Sequence, residues 1–230
     1  MYRERPSTVV GAVAWASTSD GTPGRVLPDG CMDLLWMGGR LLVAGPDTEA
    51  FLSVVPAGAV VAGLRFAPGS APGVLGLPAH AARDQRAPLA EIWEPGLVRH
   101  LEDQVATAAA PARALERIAT AHGLAGAEVD PLLTEVVRRA GRDEAVGAIA
   151  RGVGLSARQL HRRSLDAFGY GPKMLARVLR LQRALALARE GTELAAVAAA
   201  HGYTDQAHLA RDVRDLAGTT LGGLGLGRAA

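Results

Sequence analysis

Several things are scarce in this sequence, and each shortage closes off a class of function. Only one of the 230 residues is cysteine, Cys31, so neither an internal disulfide nor a cysteine-rich zinc site can form. The six histidines (His80, His100, His122, His161, His201, His208) show no metal-ligand spacing with one another or with Cys31, and no metal is expected. No stretch approaches the roughly 18 uninterrupted apolar residues of a membrane span. The opening Met1-Tyr2-Arg3-Glu4-Arg5-Pro6 lacks an apolar signal core, so a soluble, cytoplasmic protein is the expectation. There is no Walker loop, dinucleotide fingerprint or Gly-x-Ser-x-Gly elbow, which argues against an enzyme or a bound cofactor. Aromatic residues are few, three each of Trp, Tyr and Phe, so any pocket must draw on a short roll of rings. Lysine is nearly missing: Lys173 stands alone and arginine supplies every other basic side chain.

Charge is present but unevenly placed. Residues 1–141 carry 12 basic and 15 acidic side chains, a net −3, while residues 142–230 carry 13 and 8, a net +5. A basic C-terminal portion suits a polyanion partner. The organisation changes along the chain as well, and the expected class is α+β. Residues 1–86 read as β-rich: runs at Val9 to Trp15, Cys31 to Trp36, Arg40 to Ala44 and Val60 to Phe66 are punctuated by Asp29-Gly30, Gly38-Gly39 and Pro68-Gly69. That pattern suggests a reduced barrel or sandwich. Residues 87–141 read as a helical connector that spaces the two ends or carries a dimer interface. From residue 142 to 230 the pattern is all helical, with helices expected near 143–151, 156–168, 172–189, 193–200 and 204–216, and a weak one after 220.

The helical region contains the same device twice. Ile149-Ala150-Arg151-Gly152-Val153-Gly154-Leu155-Ser156 leads into a polar helix holding Leu160-His161-Arg162. Val197-Ala198-Ala199-Ala200-His201-Gly202-Tyr203-Thr204 leads into another holding Leu209-Ala210-Arg211. Each is an apolar helix, a glycine turn, a hydroxyl residue suited to N-capping and a polar helix, the order of a helix-turn-helix. The copies align with an offset of 48 at Gly154/Gly202 and 49 at Leu160/Leu209. One extra residue is therefore expected at the start of the second polar helix, with Thr204 as its cap. Between the copies Gly171-Pro172 opens a helix of about 27 Å, long enough to set two recognition helices in successive major-groove turns roughly 34 Å apart. Arginine can read guanine or hold phosphate, and glutamine can read adenine. The expected DNA-facing residues are thus Ser156, Arg158, Gln159, Arg162 and Arg163 in the first unit, and Thr204, Gln206, Ala207, His208 and Arg211 in the second.

Two further segments join these residues to a family. Gly154-Leu155-Ser156, Leu160-His161-Arg162-Arg163, Gly169-Tyr170-Gly171-Pro172-Lys173 and Arg180-Leu181-Gln182-Arg183-Ala184, with Ala198 to Asp212, resemble the AraC/XylS family of bacterial transcription regulators over roughly residues 142–225. The resemblance implies two helix-turn-helix subdomains joined by a long helix, each placing one helix in the major groove of promoter DNA, and RNA polymerase as a partner. Three positions depart from the family: Ser164 and Val213 stand where an aromatic or large apolar residue is usual, and Leu221 where proline is usual. Upstream, Pro28 to Trp36, Leu41 to Thr48 and Gly63-Leu64-Arg65-Phe66 resemble an N-terminal domain fused to this module in bacterial regulators, which implies a sensing or dimerising role. Cys31, Asp33, Trp36, Arg65 and Phe66 are the candidate lining of an effector pocket. Each also has a plainer reading, as a small buried thiol, a structural Asp–Arg pair and core rings. The expectation is an activator or repressor. Alternatives are a small-molecule sensor whose DNA binding is secondary and, remotely, an alkylation-repair protein using Cys31.

Overall fold

The computed structural model describes residues 2–122 and 130–226. Eight strands form first: β1 (Tyr2–Pro6), β2 (Ala12–Thr18), β3 (Gly24–Val26), β4 (Met32–Met37), β5 (Arg40–Ala44), β6 (Phe51–Ser53), β7 (Val60–Phe66) and β8 (Arg86–Pro88). Six of them make one antiparallel sheet in the order β1-β2-β7-β4-β5-β8, and β3 pairs with β6 as a separate ribbon. Gly38 and Gly39, both at positive φ, make the tight β4–β5 hairpin that their pairing in the sequence foretold.

Side-chain alternation gives the sheet two different faces. Leu34, Trp36, Leu41, Val43, Leu64 and Phe66 point to one side and are buried there. That side is covered by α1 (Ala71–Leu75), α2 (Pro95–Ala106) and α3 (Pro111–Ala121), which add Val74, Leu101, Leu115 and Ile118 to the same core. Arg5 of β1 clamps α3 through both oxygens of the buried Glu116, at 2.9 and 2.5 Å. The expected connector is therefore divided by its packing. Its first helices belong to the sheet, whereas α4 (Pro131–Ala140) buries Val136 and Ala140 among the C-terminal helices.

Those helices are α5 (Val146–Gly152), α6 (Ala157–Phe168), α7 (Pro172–Arg189), α8 (Leu194–Ala200) and α9 (Gln206–Ala217), followed by a short 3₁₀ turn at Gly222–Leu224. They enclose two cores. Ile149, Leu160, Phe168, Leu175 and Val178 form one, and Leu185, Val197, Leu209, Val213 and Leu216 the other. Helix α7 contributes its first half to one and, through Leu181 and Leu185, its second half to the other. It holds the two units at a fixed spacing because it belongs to both interiors. Leu221, where the family has proline, is buried in the second core and anchors the last turn. No described helix is long and apolar enough to cross a membrane.

Candidate nucleic-acid interface

The two units are built alike. Gly154 (φ +70°) and Gly202 (φ +69°) take the left-handed conformation that lets α5 turn into α6 and α8 into α9. Helices α6 and α9 are each 12 residues long and related by an offset of 49 throughout. Ser156 caps α6: its Oγ accepts the Gln159 backbone N–H at 3.3 Å, while Gln159 Oε1 accepts the Ser156 backbone N–H at 2.9 Å, closing a capping box.

The second cap differs from the sequence expectation. Asp205, not Thr204, is the N-cap of α9, its Oδ1 accepting the His208 N–H at 2.7 Å. The extra residue accordingly lies in the turn and leaves the helix unshifted. A carboxylate at this end also interacts favourably with the helix dipole, which a neutral hydroxyl cannot do. Thr204 donates its backbone N–H to His208 Nδ1 at 3.3 Å, and this places the His208 proton on Nε2.

Outward-facing side chains distinguish the units. On α6 and its cap, Ser156, Arg158, Gln159, Arg162 and Arg163 are exposed. Among the described residues none pairs with Arg158, Arg162 or Arg163, so three guanidiniums on one helix are free for an external anion. On α9, Thr204, Gln206, Ala207 and Arg211 are exposed and His208 is half-buried. The position of Arg163 is taken in α9 by Asp212, which is buried. It accepts from Arg177 Nε at 2.5 Å and from the Tyr203 hydroxyl at 2.9 Å. Arg177 also binds Asp215, and Arg183 binds Asp143. Arg177, Arg180 and Arg183 of α7 are thus engaged in holding the units together, whereas Arg158, Arg162 and Arg163 of α6 have no acidic partner among the described residues.

The N-terminal domain grips the end of each recognition helix. At α6, His80 Nδ1 lies 3.4 Å from Asp166 Oδ1, Arg83 donates to the Gly169 carbonyl at 3.3 Å, and Tyr170 is buried near Gly30. At α9, Arg25 donates to the Ala217 carbonyl at 2.8 Å. Between these grips Gln182 of α7 donates to the Pro28 carbonyl at 2.6 Å.

A cavity of about 950 Å³ lies on the sheet face opposite α1–α3, roofed by the β3–β6 ribbon and by Gln182, Arg189 and Leu224 of the C-terminal domain. The five residues singled out in the sequence divide here. Cys31, Asp33 and Arg65 line the cavity, whereas Trp36 and Phe66 face the helix-covered core. Trp15 occupies the floor instead, its indole lying across Gly63, where a Cβ would come within 2.3 Å of the ring. Its N–H donates to Asp33 Oδ1 at 2.6 Å, and the Tyr2 ring stands 5.8 Å away. Burial pushes the Asp33 carboxyl up to about 6. Burial, with Asp29 and Asp33 beside it, pushes the Cys31 thiol well up, which leaves it protonated and a poor nucleophile.

A helix-turn-helix domain family matches residues 149–224, which spans both units and the helix between them. The chain carries an AraC-type helix-turn-helix domain. That domain makes the chain a DNA-binding transcription regulator. A domain family of unknown function matches residues 10–88, which contain β2 to β8 and the cavity floor. No curated protein matches the chain. Among solved structures, an apo variant of ToxT from Vibrio cholerae is similar at a TM-score of 0.49 and 9% identity, covering 95% of this chain and 98% of that one. ToxT bound to (E)-4-(8-methylnaphthalen-1-yl)but-3-enoic acid is similar at 0.49 and 6%, with 97% of each chain covered. Unsaturated fatty acid bound ToxT is similar at 0.47 and 10%, with 95% and 97% covered. For an AraC-type regulator, the residues that sequence reasoning missed are Tyr170 and Arg25, which join the DNA-binding units to the N-terminal domain. Tyr170 was visible as the single aromatic in Gly169-Tyr170-Gly171-Pro172. Arg25 had no local signal, since its partner lies 192 residues away.

Proposed function

We propose that this regulator reads promoter DNA through the exposed side chains of α6 and α9, with the N-terminal cavity as the site where an effector sets the geometry of the two helices. The observation that carries the proposal is the display of Arg158, Arg162 and Arg163 on α6, free of acidic partners, on a helix whose C-terminal end is held by the N-terminal domain. Gln159 serves the capping box through its carbonyl, which leaves its amide N–H₂ for the groove. On α9, Gln206, Arg211 and the His208 Nε2–H are the base-reading candidates, and Ala207 supplies an apolar contact suited to a thymine methyl. Because the two surfaces differ, the bound site has direction and one chain needs no palindrome. RNA polymerase contact, a homodimer and a cytoplasmic location accompany this reading; methyl transfer to Cys31 does not, since burial and the neighbouring Asp29 and Asp33 push its thiol well up.

Genomic operator selection followed by hydroxyl-radical footprinting tests the proposal. Two protected patches on one face of the duplex, roughly 34 Å apart, are expected from one chain. A single patch, or a symmetric pair within one chain's footprint, overturns it.

A further inference from the structure

Gln159 and His208 hold equivalent places. Each is the third residue of its recognition helix, after the N-caps Ser156 and Asp205, and the two are related by the same offset of 49. The N-terminal residues of such a helix are the ones that reach base edges. Each of the two side chains also turns back to the backbone before its helix. Gln159 Oε1 accepts two hydrogen bonds, from the Ser156 backbone N–H at 2.9 Å and from the Ser156 hydroxyl at 2.8 Å. His208 Nδ1 accepts the Thr204 backbone N–H at 3.3 Å, and the Tyr203 ring meets the imidazole edge-on at 5.2 Å.

These contacts consume the acceptors and spare the donors. An amide oxygen has two lone pairs, and at Gln159 both are taken. The amide cannot be reversed, because its N–H₂ would then confront the Ser156 N–H, donor against donor. In a neutral imidazole one nitrogen accepts and the other donates, so with Nδ1 engaged His208 offers only Nε2–H. Two unlike side chains thus present the same chemistry, donors with no free acceptor. A glutamine reads adenine by donating to N7 and accepting from N6–H₂ at once. Gln159 has lost the second half of that pairing, and its own N–H₂ would face that of adenine. Guanine offers two acceptors side by side, N7 and O6. Gln206 is the contrast: it is exposed at the first position of α9 and its amide is engaged by none of the described residues, so it keeps both groups that adenine requires.

We propose that Gln159 and His208 are specificity-determining residues that each select guanine, one in each half of the site, by donating to its N7 and O6. The proposal rests on the reading of α6 and α9 as the DNA-contacting helices and adds which base each selects. The cap that starts each helix fixes the hydrogen-bonding polarity of the side chain that reads.

Selection from a randomised duplex library by the full chain, repeated with Gln159→Glu and His208→Ala, tests the assignment. Glutamate keeps the capping box, since its carboxylate accepts the Ser156 N–H, but it has no donor. Each variant is expected to relax one position, and the two positions should lie in different half-sites roughly 34 Å apart. Both should be guanine for the unaltered chain, with adenine there costing about tenfold in affinity, and in the matching variant that ratio should fall to about one. Where the charge of glutamate weakens binding too far to measure, Gln159→Ala supplies the same ratio. Heteronuclear NMR of the free chain should find the His208 proton on Nε2; a proton on Nδ1 overturns the assignment for α9. A relaxed position held by any base other than guanine overturns the proposal while the two helices still read DNA. Selective binding whose preferences neither variant alters overturns it too, because the two side chains then only cap. A chain that selects no sequence from the library removes the DNA reading beneath the proposal as well.

Discussion

The two helix-turn-helix units share a skeleton and differ in what they do with charge. Both have a left-handed turn glycine, a side-chain cap and a 12-residue second helix in register. At one position in that register α6 exposes Arg163 while α9 buries Asp212 against α7. The next position is buried in both, but α9 fills it with Val213 and α6 with Ser164, whose hydroxyl has no hydrogen-bond partner. Two copies of one fold have therefore divided the work. The first exposes unpaired arginines and has an unsatisfied hydroxyl in its interior; the second fills that interior position with Val213 and is tied to the linking helix through Asp212.

Removing the charge of α6 tests this division most severely. The triple variant R158A/R162A/R163A should lose on the order of 10²–10³-fold in operator affinity, and each lost phosphate contact should flatten the salt dependence by about 0.9 in slope. Arg211→Ala on α9 should cost only roughly tenfold and act on sequence preference more than on the salt slope. Equal losses in the two, measured by fluorescence anisotropy across a salt series, would remove the electrostatic distinction between the units.

Stability should show the reverse order. Asp212→Ala strands Arg177 and the Tyr203 hydroxyl, and urea unfolding should register a loss of about 3 kcal/mol. Alanine at the matching Arg163 should change stability by about 0.5 kcal/mol or less. A comparable loss at both would mean that the packing is not asymmetric.

Acid acts on the β-rich half through Glu116. Hydrogen bonding from Arg5, helped by Ser7 and the Thr8 amide, lowers the Glu116 carboxyl to about 2 from an ordinary 4.5. The folded form thus binds this proton more weakly than the unfolded chain. Its stabilisation is complete above about pH 4.5 and fades as pH falls toward 2. Glu116→Gln should flatten that stretch of the stability profile while leaving operator binding at neutral pH intact; an unchanged acid limb counts against the Arg5–Glu116 clamp.

The smallest effect is a gain. Ser164→Val copies the second unit into the first and removes an unsatisfied buried hydroxyl, which should raise stability by about 1 kcal/mol in thermal melts. A loss would show that the site lacks room for the two methyl groups.

What was legible in the sequence followed the range over which each signal acts. The helix-turn-helix units could be read because a glycine, a cap and a leucine three or four residues on lie within one local stretch, and because they occur twice. The cap of α9 was misassigned because Thr204 and Asp205 are neighbours whose side chains can each cap a helix, and only the fold shows that Asp205 accepts the His208 N–H. Strands β3, β6 and β8, three residues each, are too short to show an alternation. The five-residue pocket list mixed two faces, although parity gives the answer: Asp33 and Trp36 differ by an odd number within one strand, as do Arg65 and Phe66. Trp15 over Gly63 had a faint signal, a glycine inside a strand where another group approaches closely. The roof of the cavity had none, since its residues come from opposite ends of the chain.

Gly169 gives the molecule a single-atom tolerance. It ends α6 at φ +80°, and a Cβ placed there would lie 2.5 Å from Pro46 in the N-terminal domain. The clearance between the domains at that seam is thus smaller than one methyl group. Glycine at this position keeps α6 flush with the β-rich half. Any larger residue there must shift Pro46 or the end of α6, and it strains the backbone at φ +80° besides.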